Sequence, residues 1–439
     1  MINIDTLITA RWVIPVEPAD TVLEHHALAI DQGRIVELLS NEDALKKYRP
    51  RNLIKREQHV LLPGLINTHG HAAMSLMRGL ADDLPLMEWL TQHIWPAEAK
   101  WVNPKFVYDG TLLACAEMLR SGTTCFNDMY FFPDEAARAA EHAGIRATVG
   151  LIVIDFPTAW AQNPDEYLEK GINLHDQLRH NTLINTAFAP HAPYTVSDAP
   201  LKRIATYAEE LDIPVHIHLH ETAHEVNESL EKFGMRPIAR LEQLGLLTPR
   251  LLAVHMTQLK EDEISKIAQA GVHVSHCPES NLKLASGFCP VHKLTQAGIN
   301  IALGTDGAAS NNDLDMFSEM RTAALLAKAV AGEASAIPAH QALRMATING
   351  AKALGIDEQT GTLEAGKAAD VIAVNLSGIE TEPLYHPASQ LVYAASRDKV
   401  SDTWVAGNHL LKDGELTTID SHAIIQSARE WRDKLVGLS

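Results

Sequence analysis

Between about residues 61 and 360 the chain alternates eight short apolar runs with stretches of helical periodicity, a series that few folds can accept. The runs are VLLPGLINTHGH, GTTCFNDM, IRATVGLIV, LINTAFAPHAPY, IPVHIHLHE, RLLAVHMT, GVHVSHCPES and INIALGTDG. Between them lie segments such as YDGTLLACAEMLRS, DAPLKRIATYAEEL and EDEISKIAQAG, whose apolar residues return every three or four positions, as on one face of a helix. Parallel strands cannot be joined by hairpins and need helical crossovers, so eight strand–helix units in series predict an α/β chain folded as a (β/α)₈ TIM-type barrel. The flanks have a different texture. TLITARWVIPV, HALAIDQGRIVEL and NLIKREQHVLLPG near the start, and AGKAADVIAVNLSG and VSDTWVAGNHLLKDGEL near the end, read as strands separated by turns. They predict a small β-sandwich domain built from both termini, residues 1–60 plus 361–439 with a C-terminal helix, attached to a catalytic barrel of residues 61–360.

In a barrel of this kind functional groups gather at the C-terminal ends of the strands. Histidines and acids fall there repeatedly: His69 and His71 close strand 1, His191 strand 4, His218 and Glu221 strand 5, and His255 strand 6. His276 follows strand 7 and Asp306 closes strand 8. Alternate residues of a strand face the same side, so His69 and His71 can offer two imidazole nitrogens to one cation. With His218 and the Asp306 carboxylate they form a nitrogen-rich, partly open set suited to one divalent ion, Zn²⁺ first and Fe²⁺ as the alternative. Water in the open position would be acidified toward hydroxide at neutral pH, a nucleophile that needs no Ser or Cys. His216 and His220 share the alternation of strand 5, but only His218 is followed three residues later by Glu.

The cysteines agree with a histidine site. Cys115, Cys125, Cys277 and Cys289 form no C-x-x-C pair, which argues against a thiolate zinc site, a disulfide scaffold and the P-C-x-x-C site of cytidine deaminases. A net charge of -18 without any basic run argues against nucleic acid and anionic membrane surfaces as partners. The N-terminus lacks a secretory pattern and no apolar run reaches the length of a membrane span, so a cytoplasmic protein is expected.

The segments PGLINTHGH, HLHET, VHMT, SHCPESNLKL and LGTDGAASNN, followed by GTLEAGKAADVIAV, resemble the amidohydrolase superfamily over essentially the whole chain. They are most similar to its adenosine-type branch, the 5′-methylthioadenosine/S-adenosylhomocysteine deaminases. The resemblance implies metal ligands His69, His71, His218 and Asp306, a proton shuttle at Glu221 that protonates the purine ring, and His255 orienting the hydroxide. It further implies that Asp306 takes the proton of the metal-bound water, that Glu98 in WPAEAKW binds ribose hydroxyls, and that His191 is a second substrate contact. Binuclear relatives carry a carboxylated Lys on strand 4; LINTAFAPHAPY has none, so one metal is expected.

The implied activity is hydrolytic deamination of 5′-methylthioadenosine, S-adenosylhomocysteine or adenosine to the 6-oxo product and ammonia. Family members that favour the homocysteine tail use arginines in the loop after strand 3; DFPTAWAQNPDEYLEKG has none, which favours 5′-methylthioadenosine. The same site would serve a guanine, 8-oxoguanine or cytosine deaminase or an s-triazine hydrolase, although Glu98 argues for a ribose. A non-catalytic barrel is opposed by the intact ligand set. The partners expected are a small nucleoside, water and further copies of the chain in a homo-oligomer. His276 reads either as a substrate contact or as a stabiliser of its turn. The segment SLMRGLADDLPLMEWLTQHIWPAE reads as core or as an apolar lid over the substrate.

Overall fold

The protein is described by a computed structural model covering residues 1–437. All eight apolar runs form strands: β1 (Leu65–Gly70), β2 (Thr123–Asp128), β3 (Arg146–Val153), β4 (Ile184–Pro190), β5 (Val215–Leu219), β6 (Leu251–His255), β7 (His273–His276) and β8 (Ile301–Leu303). They lie side by side in chain order with parallel pairing from β1 to β8, a nearly closed barrel with helices between the strands. Every residue of β3, RATVGLIV, is buried, as befits a strand covered on both faces. The helices start and stop where local chemistry requires. Asn103 caps Pro104–Arg120 by accepting the Phe106 N–H, and Gly144, at φ +79°, ends Pro133–Ala143 in the left-handed conformation that glycine adopts without strain.

Strands from both ends of the chain make one further sheet of nine strands. At its centre Tyr48–Pro63 runs parallel to Ile2–Val13 on one side and antiparallel to Val371–Asn375 on the other. Leu28, Ile30 and Ile35 from the N-terminal part share a core with Val371 and Trp404 from the C-terminal part. The run VLLPGLINTHGH divides at Gly64: residues up to Pro63 pair with Val371 in the terminal sheet, and Leu65 begins the barrel. A Cβ at position 64 would collide with the Thr124 side chain, so only glycine lets the chain pass from one sheet to the other this close to β2. The C-terminal helix Ser421–Leu435 leans on the barrel, with Trp431 edge-on to Phe106 at 5.2 Å between ring centres.

A buried ion pair joins the two sheets. Arg146, at the start of β3, donates Nε–H to Asp370 Oδ2 at 2.9 Å, and both side chains are almost fully excluded from solvent. The second Arg146 nitrogen reaches Asp370 Oδ1 at 3.3 Å, and the Ala406 N–H donates to that same oxygen. Among the described residues no helix is long and apolar enough to cross a membrane.

Candidate active site

The C-terminal ends of the strands open into a cavity of about 320 Å³. His71, His218 and Asp306 line it, and together with the fully buried His69 they place one ligand atom each within 4.8 Å of one another. His218 Nε2 lies 3.2 Å from His69 Nε2 and 3.3 Å from His71 Nε2, and Asp306 Oδ1 lies 3.2 and 3.3 Å from those same two nitrogens. Backbone carbonyls fix two of the tautomers: His71 Nδ1–H donates to the Met129 carbonyl and His218 Nδ1–H to the His191 carbonyl, while His69 Nδ1 lies 2.8 Å from His216 Nε2 and either ring can carry the proton between them. The Nε2 atoms of His71 and His218 therefore carry bare lone pairs aimed at the same point as a carboxylate oxygen and the Nε2 of His69, an arrangement suited to a cation between them. Neighbouring ligands of one zinc ion stand about 3.3 Å apart, so the chemistry of the donor set and the four separations of 3.2–3.3 Å fit such a metal.

Asp306 is held rigidly. Its Oδ2 accepts from Ser280 Oγ at 2.6 Å and Ser310 Oγ at 2.9 Å, and its Oδ1 accepts from the Gly307 N–H at 2.8 Å. The turns that present these groups are strained: His220, His255 and Asp306 have φ of +54°, +75° and +61°, where an L side chain costs about 1–3 kcal/mol. Strain of this kind persists only where surrounding bonds over-determine it; His255 and Asp306 line the cavity, and the His220 ring is buried against Gln258 and Ile238.

Glu221 follows β5 by two residues, lines the cavity and is buried, which raises its carboxyl above the usual range against the opposing charge of His255. The His255 Nδ1–H donates to Asn281 Oδ1 at 2.9 Å, leaving Nε2 facing Glu221 Oε2 at 3.9 Å. His191 lines the wall, its Nδ1 within 2.9 Å of Thr195 Oγ1. Glu98 enters from the helix Trp95–Trp101 and accepts from the Tyr130 hydroxyl at 2.7 Å; burial lifts its carboxyl to about 7, the tyrosine bond acting the other way.

The segment after β1 lies over this cavity. Its Trp89, Leu90, Ile94 and Trp95 line one wall, and Ile152 and Phe156 from β3 and its loop line another. Leu90–Ile94 is a π-helical turn, a geometry that often marks a functional site. No Lys or Arg lines the cavity among the described residues.

His276 does not line the cavity; it is buried behind it. His216, set aside in the sequence, is the partner of His69 and also fully buried. The Asp306 clamp by Ser280 and Ser310 and the Asn281 support of His255 have only a diffuse sequence signal, their place in the polar turns after strands 7 and 8.

The buried histidines have a consequence for stability. Burial lowers His276 to about 3 and His220 to about 4, so both are neutral in the folded protein at pH 7. The unfolded chain binds protons at these residues below about 6.5 while the folded chain does not, so stability rises with pH in that window. Stability is expected to be full above pH 6.5 and to fall by about 1.4 kcal/mol per pH unit for each group as the pH drops toward 4. Denaturant melts at pH 7, 6 and 5 measure this; a flat profile would contradict neutral burial.

The comparisons with known proteins agree with this geometry. Residues 60–410 match the model of the amidohydrolase family. A 5-methylthioadenosine/S-adenosylhomocysteine deaminase from Teredinibacter turnerae is 54% identical over 99% of this chain and 98% of its own, and the protein of that name from Saccharophagus degradans is 53% identical over 98% and 97%. A crystal structure of an adenosine deaminase from Xanthomonas campestris with bound zinc is 55% identical, covers 99% of both chains and superposes with a TM-score of 0.98. An atrazine chlorohydrolase from Arthrobacter aurescens, 24% identical over 97% of this chain with a TM-score of 0.91, shares the fold. The chain therefore belongs to the amidohydrolase family, in the branch whose curated members carry the name 5-methylthioadenosine/S-adenosylhomocysteine deaminase.

Proposed function

We propose that this protein hydrolytically deaminates 5′-methylthioadenosine, and adenosine or S-adenosylhomocysteine less readily, to the 6-oxo nucleoside and ammonia. The observation that carries this reading is the convergence of three imidazole nitrogens and a carboxylate at an apolar cavity that Glu221 also lines. A divalent ion, zinc by the donor set and by the zinc-bound relative, would be held by His69, His71, His218 and Asp306 and would supply the Lewis acidity that makes water deprotonable near neutral pH.

The chain's own groups do the rest. Glu221, whose burial favours the protonated carboxyl, delivers its proton to ring nitrogen N1, which makes C6 electrophilic. Asp306, its second oxygen fixed by two serine hydroxyls, takes a proton from the attacking water. His255, oriented by Asn281, aligns that water opposite Glu221. Oxygen adds to C6, the C6–N bond breaks and the amino group leaves as ammonia after gaining a proton. Glu98 has one oxygen satisfied by Tyr130 and offers the other to the ribose hydroxyls, and His191 contacts the substrate from the wall.

The cavity wall supports the order of substrates. A methylthio group suits Trp89, Ile94, Trp95 and Phe156, whereas the carboxylate of a homocysteine tail would find no Lys or Arg there. Loss of the adenine absorbance band should be fastest with 5′-methylthioadenosine in zinc-loaded protein. Chelation should abolish it, and zinc should restore it. Since zinc binds the folded chain, it should also stabilise the protein by about 4 kcal/mol at a thousand times its Kd, read as a lower melting temperature after chelation. An unchanged spectrum with every adenine nucleoside, in protein shown to hold zinc, would overturn the deaminase reading.

A further inference from the structure

The loop that carries Glu221 is gripped by a residue outside the cavity. Glu225 is buried, 3% exposed, yet it does not line the site. Its Oε1 accepts the His220 N–H at 2.9 Å and its Oε2 accepts the Glu221 N–H at 2.8 Å, so both oxygens are answered by backbone rather than by a cation. Glu225 is the third residue of the helix Ala223–Phe233, whose N-cap is Thr222. A glutamate at that place ordinarily reaches back to the N–H of the cap residue itself. Here it reaches past Thr222 to the two residues before it, so what it secures is the bend between β5 and the helix.

That bend needs securing. His220 sits at φ +54°, and this left-handed step turns the chain so that Glu221 faces the cavity instead of continuing along the strand. The carbonyl side of the same two residues is held as well. Thr257 Oγ–H donates to the Glu221 carbonyl at 2.6 Å, and the Thr257 and Gln258 N–H groups donate to the His220 carbonyl at 3.0 and 3.2 Å. The two residues are thus fixed through their N–H groups by Glu225 and through their carbonyls by the segment after β6. Burial without a cation raises the Glu225 carboxyl to about 8, while the bonds from the His220 and Glu221 N–H groups and the dipoles at the helix start act the other way, toward the charged form.

We propose that Glu225 is a positioning residue: it holds the His220 and Glu221 amides so that the Glu221 carboxyl points at the ring nitrogen it protonates. This rests on the deaminase reading given above. Gln at 225 keeps the size and one acceptor oxygen but turns an NH₂ toward an N–H, which breaks one of the two bonds.

The test uses full-length, zinc-loaded protein and the variants Glu225→Gln, Glu221→Gln and their double, with Thr257→Val as an independent release of the carbonyl side. In Glu225→Gln the His220 and Glu221 amides should exchange with deuterium at least about tenfold faster, a readout independent of turnover. Its kcat for 5′-methylthioadenosine should fall by about 10- to 100-fold, with KM and zinc content within about twofold of the parent. In the Glu221→Gln background the same change should alter the remaining kcat by less than about twofold, because a residue acting only through Glu221 has nothing left to act on. Thr257→Val should reproduce the pattern if the glutamine variant fails to fold. An unchanged kcat, or an equal fall in both backgrounds, would overturn the positioning role alone. Wild-type turnover in Glu221→Gln would overturn the shuttle, and the positioning role with it.

Discussion

Glu221→Gln is expected to lower kcat for adenine nucleosides by about 10²- to 10⁴-fold, the range that a positioned general acid contributes. The change is nearly isosteric and removes only the ability to give and take a proton, so cavity shape and KM should be conserved within a few-fold. Glu221 is not among the four residues whose ligand atoms converge, so zinc content measured by atomic absorption should equal that of the parent. Stopped-flow measurement at saturating substrate separates the outcomes. A fall in kcat at constant zinc places the proton transfer on this carboxyl. A kcat within threefold of the parent would place it elsewhere, and a loss of zinc would mean that Glu221 serves the metal.

The second large effect concerns stability. Arg146→Met should destabilise the protein by about 3–5 kcal/mol, because it leaves the Asp370 carboxylate buried without its cation. The pair lies between a barrel strand and the sheet built from both termini, so the damage should appear as separation of those two parts. Limited proteolysis should then cut near Gly64, where the chain passes from one sheet to the other. Replacing both partners, Arg146→Met with Asp370→Leu, should recover most of the loss, since two well-packed apolar groups cost less than one orphaned charge. If the double variant is as unstable as the single, the Asp370 bond to the Ala406 N–H outweighs the ion pair.

Much of this arrangement was legible in the sequence for physical reasons. Barrel strands are covered on both faces, so they read as continuous apolar runs, and six of the eight ended near a candidate histidine or acid because strand ends are where a barrel tolerates polar groups. The split at Gly64 was not legible. Leu61, Leu62 and Leu65 have the same chemistry although they serve two sheets, and only the nearness of Thr124 shows why glycine stands between them. The partners that orient the site were equally hidden. His216 supports His69 from 147 positions away, and Ser280 clamps Asp306 from the preceding strand's loop, contacts that no local pattern encodes. His276 shows the converse: it follows its strand as the cavity histidines do, yet its ring is buried away from the cavity. The aromatic residues after β1 read as core or as a lid because one chemistry serves both: Trp89, Leu90 and Ile94 belong to an apolar core cluster and also line the cavity.

The central place of Tyr48–Pro63 in the terminal sheet has a consequence for biosynthesis. One of its neighbours, Ile2–Val13, leaves the ribosome before it, but the other, Val371–Asn375, follows only after about 300 further residues. At 5–20 residues per second that interval is roughly 15–60 s, during which the nascent chain carries an unpaired strand edge while the barrel is completed beside it. A strand translated only after the whole barrel is therefore the one that covers the exposed edge of Tyr48–Pro63. A chain released before Val371 would expose that edge to other nascent copies, so for truncated products aggregation should precede degradation.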